Sequence, residues 1–475
     1  GVCEDRKGLS QVLVLTKFQK EKEMRKTKIA VLFSVMMIIT MLISACGPAT
    51  TPTETKTEAD TQVTKETTAP EEEETEAPTA IEEPAKQVTI SFWHAYNADV
   101  EAKFLDEVLI PQFEADHPSI KVQSLLVPYD QFRRKLLIAL SGGSAPDVAR
   151  VDIIWTPELA DQGALAKLDE VMSDFSELED AVLPGPLSTN YYKGHYYGLP
   201  LDTNTRVLAY NKDMFAAAGI ENPPATIDEF LADCEKIKAL GEGKYCFADG
   251  GTYAWAVNPW IWSMGGDVTD PEVTKATGYF NGEKTANAYK LLKDMLDNGY
   301  LHPGITGGGL DTWGSFAQDQ VAMILEGPWF PSLFGSQFPD KQYGLALMPA
   351  GDGGSISVVG GEDIVMFEQS ENKEAAAEFI RYMLSEKVQL QWAEKGQMPV
   401  IKSAADSDVI KNHPYFGIFL QQLETAKARS PHPAWSQMEE VMTNAGAAIL
   451  TGTTDVQAAL DEAATKMDEL MASYQ

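Results

Sequence analysis

The hydrophobic pattern predicts a repeated strand and helix order at the start of the apolar-rich part of the chain. Residues 88–93 alternate in polarity as a strand does, and apolar residues then recur at helical spacing up to Val108. A strand over 121–127, a helix over 132–140 and a strand over 147–151 continue the order. This order is typical of a doubly wound α/β sheet, in which ligands bind at the carboxyl ends of the strands.

The later pattern predicts more elements of both kinds. Apolar runs indicate strands over 321–324, 343–347 and 363–367, and helical periodicity indicates helices over 224–240, 373–398 and 434–472. The segment 250–267 is rich in Gly and Trp, which favours a binding surface over a core helix.

A basic stretch followed by an apolar run lies ahead of this region. Met24 begins a Met-Arg-Lys-Thr-Lys segment, and residues 29–43 are almost wholly apolar, which predicts a signal peptide over 24–45 with residues 1–23 upstream of it. An apolar run of that length reaches about 22 Å as a helix, less than the roughly 30 Å of a hydrocarbon core. A signal peptide is therefore favoured over a retained transmembrane anchor. The run ends Ser-Ala-Cys-Gly and resembles the bacterial lipobox, so we expect acylation of Cys46 and attachment of an exported protein to the outer face of the cytoplasmic membrane.

Residues 46–86 have the composition of a tether. Thr, Glu, Pro and Ala dominate them, so they cannot bury enough apolar surface to fold, and we expect a disordered acidic linker. Residues 1–46 carry eight basic and four acidic side chains, which leaves a net charge of −36 on the rest of the chain.

Overall composition excludes two classes of partner. The 475 residues include 38 basic and 70 acidic side chains, a net charge of −32, so the mean field repels nucleic acid and anionic membrane surfaces. The 44% hydrophobic content suffices for a large core.

Common catalytic and cofactor motifs are missing from the sequence. It contains no phosphate-binding P-loop, no dinucleotide fingerprint, no zinc-protease motif and no hydrolase nucleophile elbow, and its six histidines show no paired metal spacing. We therefore expect no cofactor and no metal.

The glycines at 142–143 are interpreted as a helix end and turn. Cys234 and Cys246 are interpreted as two buried thiols, with a disulfide possible but less favoured.

Aromatic residues at predicted loop positions stand beside carboxylates. Indole faces stack on the C–H faces of sugar rings while Asp, Asn and Glu bind hydroxyls, so this combination points to carbohydrate. A single Trp is more often a core residue, and we assign Trp392 to the core.

Several short motifs together resemble one family. The segments YYKGHYYGLP at 191–200 and VLAYNKDMF at 207–215 resemble the family 1 extracellular solute-binding proteins, the maltose-binding-protein-like receptors of ABC importers. Further motifs occur in consistent order between residues 88 and 472: FEADHP at 113–118, SGGSAPDV at 141–148, EGPW at 326–329, GGE at 360–362 and AAEFI at 376–380.

This resemblance implies a two-lobed periplasmic-binding-protein-like fold of type II, an α/β fold with a mixed sheet in each lobe and a ligand cleft between them. One lobe would comprise 87–205 and 350–400, and the other 206–349 and 401–475. It also implies site residues from both lobes: Trp93, His94, Tyr96, Asn97, Asp147, Asp152, Trp155, Asp202, Asn204, Trp255, Trp260, Glu326, Trp329, Gly360, Gly361, Glu362 and Trp435. Asp147, Asp152, Asp202 and Glu326 would accept hydrogen bonds from hydroxyls, although Asp147 also fits a capping or solvated position. Trp255 and Trp329 are the preferred stacking residues.

The resulting hypothesis is a monomeric, non-enzymatic receptor that captures a mono- or oligosaccharide by hinge closure and delivers it to a membrane permease. A polyamine or a glycerol-phosphate-type ligand in the same fold is the alternative. An exported carbohydrate-active enzyme, using Asp202 and Glu326 as acid and nucleophile, is a second class, and a sensory receptor is a third.

Overall fold

The computed structural model describes residues 87–307 and 309–474, which form an α/β structure with two larger sheets. The predicted signal peptide, the linker and Cys46 lie outside the described residues. Within the described part, none of the helices is both long enough and apolar enough to cross a bilayer.

The strands occupy the following bounds: β1 Val88–His94, β2 Ile120–Leu126, β3 Val148–Asp152, β4 Tyr191–Tyr192, β5 His195–Tyr196, β6 Gly198–Thr205, β7 Val207–Asn211, β8 Tyr245–Ala248, β9 Val321–Glu326, β10 Tyr343–Ala346, β11 Val358–Met366 and β12 Lys427–Ala428.

The α-helices follow: α1 Glu101–Phe104, α2 Ile110–Asp116, α3 Tyr129–Ser141, α4 Thr156–Asp161, α5 Leu168–Val171, α6 Phe175–Ala181, α7 Pro184–Leu187, α8 Lys212–Ala217, α9 Ile227–Lys238, α10 Ala254–Ser263, α11 Glu283–Asp297, α12 Thr312–Ala317, α13 Phe330–Gln337, α14 Lys373–Met383, α15 Glu386–Ala393, α16 Lys402–Ala405, α17 Asp408–Lys411, α18 Phe416–Leu423, α19 Trp435–Leu450 and α20 Val456–Ala472. A π-helical segment, Leu105–Leu109, joins α1 to α2, and 3-10 turns cover Ser188–Asn190 and Pro303–Thr306.

The first sheet has the order β12-β11-β3-β1-β2, with β6 also paired to β11. Strands β2, β1 and β3 are parallel, as the strand and helix order predicts, whereas β11 runs antiparallel to both β3 and β6. Strand β11 comes from far along the sequence, so local periodicity gave no information on its place in this sheet.

The second sheet has the order β10-β7-β9-β8. Strand β7 pairs antiparallel with β9 and β10, and β8 pairs parallel with β9. Because β6 ends at Thr205 and β7 begins at Val207, the chain passes from the first sheet to the second through the single residue Arg206. This crossing places the edges of both sheets around one space.

The segment 250–267 corrects one prediction. Helix α10 occupies most of it, and nine of its ten residues are buried, so it is mainly a core helix. Trp260 is 1% exposed and packs edge-on against Phe230 and Phe247. The prediction was wrong for most of the segment because Trp260 and Trp262 supply core volume, whereas Trp255 is only partly buried. Trp392 is buried, as expected.

A second prediction is corrected at Cys234 and Cys246. They form a disulfide that joins α9 to β8, instead of the two free thiols favoured by the sequence. Both residues face the same apolar layer, since Cys234 lies on the buried face of α9 and Cys246 is buried in β8. The sequence could not show that helix and strand bring the two sulfurs together.

Removal of the disulfide provides a test of this part of the fold. We expect the double substitution Cys234→Ala and Cys246→Ala to lower the free energy of unfolding by about 3 kcal/mol, because the cross-link closes a short loop and restricts the unfolded chain. Urea denaturation of the oxidised wild type and the variant would measure the difference. Equal midpoints and slopes for the two proteins would show that the cross-link does not contribute.

Candidate functional site

A cleft of about 670 Å³ lies where the chain crosses between the sheets. It is lined by residues from the ends of β3, β6 and β11, from α10 and from the loops after β1 and β12. Such a volume falls within the range typical of small-molecule sites. Eight predicted site residues line it: Asn97, Asp152, Asn204, Trp255, Trp329, Gly360, Gly361 and Glu362.

Three carboxylates stand side by side across the first sheet near the cleft. Strand register places Glu362 of β11 opposite Asp152 of β3 on one side and opposite Asp202 of β6 on the other. Directly opposed residues point to the same face of a sheet, where like charges repel. We call Asp152, Glu362 and Asp202 the carboxylate row.

Arg150 neutralises most of this row. Its Nη2 atom lies 2.9 Å from Asp202 Oδ2 and 2.8 Å from Glu362 Oε2, and its side chain is only 6% exposed. Burial alone lowers the pKa of an arginine, but these two carboxylates hold the pKa of Arg150 above its ordinary value. The ring of Tyr96 supports the guanidinium, 4.3 Å from its carbon.

Arg429 binds the remaining carboxylate from a distant segment. Its Nη2 atom lies 2.8 Å from Asp152 Oδ1, and its guanidinium carbon lies 5.4 Å from the centre of the Trp255 ring. Tyr129 donates a hydrogen bond of 2.6 Å to the other oxygen of Asp152. Asp152 is therefore fixed by residues from two distant segments of the chain.

Burial affects the charge of several cleft carboxylates. It raises the pKa of Glu362 well above its usual value, and the neighbouring Asp202 adds to the effect. Burial likewise raises the pKa values of Glu101 and Glu439, which also line the cleft. Burial therefore shifts these three side chains toward the protonated form, in which a carboxyl group donates as well as accepts hydrogen bonds.

The two tryptophans of the cleft face each other. The rings of Trp255 and Trp329, which we call the Trp pair, have centres 6.4 Å apart and planes inclined by 25°. A Cβ atom on Gly360 would approach the Trp255 ring to 2.6 Å, so a glycine is required for β11 to pass beneath it. Gly361 has a φ of +144°, and a Cβ there would lie 2.5 Å from the Asp202 carbonyl oxygen.

Glu326 does not line the cleft but lines a smaller cavity of about 190 Å³, together with Arg206, Asp249 and the Trp pair. The indole Nε1 of Trp313 donates to Glu326 at 2.7 Å. Burial raises the pKa of Glu326 to about 7.

Four predicted residues near the first sheet support the cleft from behind. His94 is buried, bonds Ser124 Oγ at 2.9 Å, and has a pKa of about 3, lowered by burial and by Arg150. Tyr96 stacks on Trp392, and Trp93 and Trp155 pack on Phe132. Asp202 belongs to the carboxylate row but does not line the cleft.

Three other predicted residues lie away from the cleft. Trp260 and Trp435 are buried in the core. Asp147 precedes β3 and Asp152 ends it, so the strand places them at opposite edges of the sheet. Asp147 instead accepts hydrogen bonds from Ser91 and Ser370, which hold its pKa below the usual range despite partial burial.

Three other residues that line the cleft had no local sequence pattern that would identify them. Arg429, Glu439 and Gln397 come from late segments that only the tertiary fold brings here. Tyr129 and Arg150 are different, because Tyr129 follows the second strand at the carboxyl end where ligands bind, and Arg150 lies two positions before Asp152 on β3. Their positions in the sequence therefore do indicate both residues. Among the described residues, no cluster of three or more His, Cys, Asp or Glu side chains is arranged to hold a metal ion.

Comparison with known proteins matches residues 98–390 to the model of the bacterial extracellular solute-binding protein family. A binding protein of Brucella abortus is 31% identical over 369 residues, which cover 76% of this chain and 88% of the relative. The galactooligosaccharide-binding protein of Bacillus subtilis is 26% identical, covering 75% of this chain and 84% of the relative.

Among solved structures, the GacH receptor of Streptomyces glaucescens, studied unliganded and with acarbose, superimposes with a TM-score of 0.73 at 26% identity. The match covers 82% of this chain and 99% of GacH. The predicted fold class is confirmed.

Removing the charge of Arg150 tests its place in the carboxylate row. We expect Arg150→Met to lower the free energy of unfolding by about 3–5 kcal/mol near neutral pH, because two buried carboxylates lose their partner. Lys121→Met is the matched control, since its ion pair with Glu114 is half exposed and should contribute under about 1 kcal/mol. Similar losses in the two variants, measured by urea denaturation, would contradict this assignment.

The raised pKa of Glu326 predicts a dependence of stability on pH. Because the folded protein holds this proton up to about pH 7 while the unfolded chain releases it near 4.5, stability falls as pH rises between these values. Glu326→Gln should remove about 2 kcal/mol of that fall between pH 5 and 8. Urea denaturation at several pH values would measure it, with exposed Glu424→Gln as the control. A fall as steep in Glu326→Gln as in the wild type would contradict the prediction.

Proposed function

The chain belongs to the bacterial extracellular solute-binding protein family, and on that premise we propose that it is the carbohydrate-binding receptor of an ABC importer. The observation that carries the proposal is the cleft, in which the Trp pair stands beside Asp152 and Glu362 of the carboxylate row. A sugar has apolar C–H faces and a rim of hydroxyls, and this cleft offers partners for both.

The hydroxyl partners are held in place before ligand binds. Asp152 is fixed by Arg429 and Tyr129, and Glu362 by Arg150. A hydrogen-bonding partner that is already fixed loses little freedom when the ligand binds. The galactooligosaccharide- and acarbose-binding relatives support the same ligand class for this chain.

The pairing of the cleft arginines disfavours an anionic ligand. Arg150 and Arg429 line the cleft, and both already bind carboxylates of the row. A glycerol phosphate would therefore approach the cleft without a free guanidinium to bind it. A polyamine is compatible with the carboxyl groups that line the cleft and is separated from a saccharide by the binding test below.

The geometry also disfavours the hydrolytic alternative. Asp202, assigned the acid role in that hypothesis, is buried in the row and paired with Arg150. It lines neither the cleft nor the smaller cavity that contains Glu326. We therefore propose that the protein binds its ligand without converting it.

Ligand capture is proposed to proceed by hinge closure of the two lobes predicted above. Arg206 joins β6 to β7 at the crossing, and the ion pair of Arg429 with Asp152 lies at the cleft. A ligand held by both sides shifts the protein toward the closed form, and in this form the protein delivers the ligand to the permease.

We also propose that the protein is exported, acylated at Cys46 and monomeric, with residues 46–86 as its tether. The lipobox-like sequence supports this arrangement, and the family description is extracellular. The Cys234–Cys246 disulfide is of the kind that persists in oxidising compartments.

A thermal-shift screen tests the proposed ligand class. The panel comprises galactose, glucose, tagatose, maltose, maltotriose, galactobiose and galactotriose, with glycerol 3-phosphate and spermidine as alternatives. Saturation at about 100 times Kd should add roughly 2.7 kcal/mol of stability. For the folded region of about 390 residues this corresponds to a rise in Tm of about 3 °C.

We expect one saccharide to give this rise without releasing any product, and Trp255→Ala to abolish it. Tyr191→Ala is the control, since this aromatic side chain is exposed and does not line the cleft. A shift with only spermidine or only glycerol 3-phosphate would contradict carbohydrate binding, and product release would contradict a purely binding role.

A further inference from the structure

Strand β6 contains a β-bulge beside the carboxylate row. Up to Pro200, which lies opposite Asp363 of β11, the two antiparallel strands keep one register. If that register continued, Leu201 would lie opposite Glu362, but Asp202 occupies that place. Leu201 is therefore one extra residue in β6, and the bulge that it forms brings Asp202 into the row.

The bulge needs a hydrogen-bond donor from outside the sheet. Leu201 has no directly opposed residue on β11 and is only 2% exposed. A buried carbonyl group without a donor costs free energy, because folding removes the water that it would otherwise bind. Gln389 of α15 supplies the donor, since its Nε2 atom lies 2.9 Å from the Leu201 carbonyl oxygen. Gln389 is itself 1% exposed, so this bond is closed to solvent.

The same side chain holds a second part of the cleft wall. Gln389 Oε1 accepts a hydrogen bond of 2.9 Å from the backbone N–H of Val400. Three residues earlier, Gln397 lines the cleft, and its Nε2 atom donates to Glu101, which also lines the cleft. One buried amide therefore fixes both the strand that carries Asp202 and the segment that carries Gln397.

Gln389 does not line the cleft, so an effect on a ligand must pass through its neighbours. Arg150 pairs with both Asp202 and Glu362, and Glu362 lines the cleft. A shift of β6 would therefore change the position of Glu362. Groups that bind a ligand need support from behind, because their geometry must be held to within about 0.5 Å.

We propose that Gln389 is a positioning residue for the ligand cleft. It stabilises the bulge that aligns Asp202 with Glu362, and it holds the segment that places Gln397. This inference rests on the proposed binding of a saccharide in the cleft, and it names a residue that sets the affinity without touching the ligand.

Gln422 provides a matched control for Gln389. It is fully buried on α18, its Oε1 atom accepts from the Met348 N–H at 2.8 Å, and its Nε2 atom donates to the Ser355 carbonyl oxygen at 3.3 Å. These three residues do not line the cleft. Gln389→Met and Gln422→Met therefore remove the same kinds of hydrogen bond, but only the first removes them behind the cleft.

Isothermal titration calorimetry would use the panel saccharide that gives the largest rise in Tm in the screen above. We expect Gln389→Met to raise Kd about tenfold, because the freed backbone groups allow β6 and the segment of Gln397 to shift. Gln422→Met should stay within about twofold of the wild type, although both variants have a lower unliganded Tm. Gln389→Glu, which keeps the acceptor for Val400, replaces Gln389→Met if the latter does not fold.

A double-mutant cycle with Gln397→Ala separates positioning from a general loss of stability. Because Gln389 acts partly through Gln397, Gln389→Met should raise Kd by a smaller factor in the Gln397→Ala background than in the wild type. Gln422→Met should have the same small effect in both backgrounds.

Two results would overturn the positioning role while leaving carbohydrate binding intact. One is an equal Kd for Gln389→Met and Gln422→Met, and the other is an effect of Gln389→Met that Gln397→Ala does not change. A wild-type protein that binds no saccharide would overturn the proposed function and this inference with it.

Discussion

Three carboxylates side by side in one sheet are compatible with a stable fold only when cations or bound protons offset their repulsion. The row of Asp152, Glu362 and Asp202 crosses β3, β11 and β6, and Arg150 lies within hydrogen-bond distance of two of the three. Removing one partner of such a buried set leaves an uncompensated charge, which is among the most costly changes a protein can undergo. The position of β11 between β3 and β6 and the position of Arg150 therefore depend on each other, and together they form one wall of the cleft.

The path of the chain explains why this wall borders the proposed binding cleft. Arg206 is the single residue between β6 and β7, so the sheet that contains the row continues directly into the second sheet. Arg429 then bonds Asp152 from a segment that follows β12. The same carboxylates thus meet residues from several distant parts of the sequence, and aromatic rings at the crossing provide the apolar half of the surface.

Much of the fold could be predicted from periodicity, because β1, β2 and β3 alternate with helices that bury one face. The site was predictable where a short motif lies at a strand end, as for Asp152, Trp329 and the glycines at 360–361. Trp260 and Trp435 have the same residue type as Trp255, and only packing distinguishes a core indole from one that reaches the cleft. Arg429 and the Cys234–Cys246 disulfide depend on contacts between segments that periodicity within one segment does not describe.

The central claim is that the cleft at the crossing binds an intact saccharide between the Trp pair and the carboxylate row. The most direct measurement is a crystal structure of the protein with the saccharide selected by binding. We expect an unbroken saccharide in the 670 Å³ cleft, with a sugar ring packed against Trp255 or Trp329 and sugar hydroxyls bound to Asp152 or Glu362. A saccharide bound outside this cleft, or a cleaved product within it, would contradict the account.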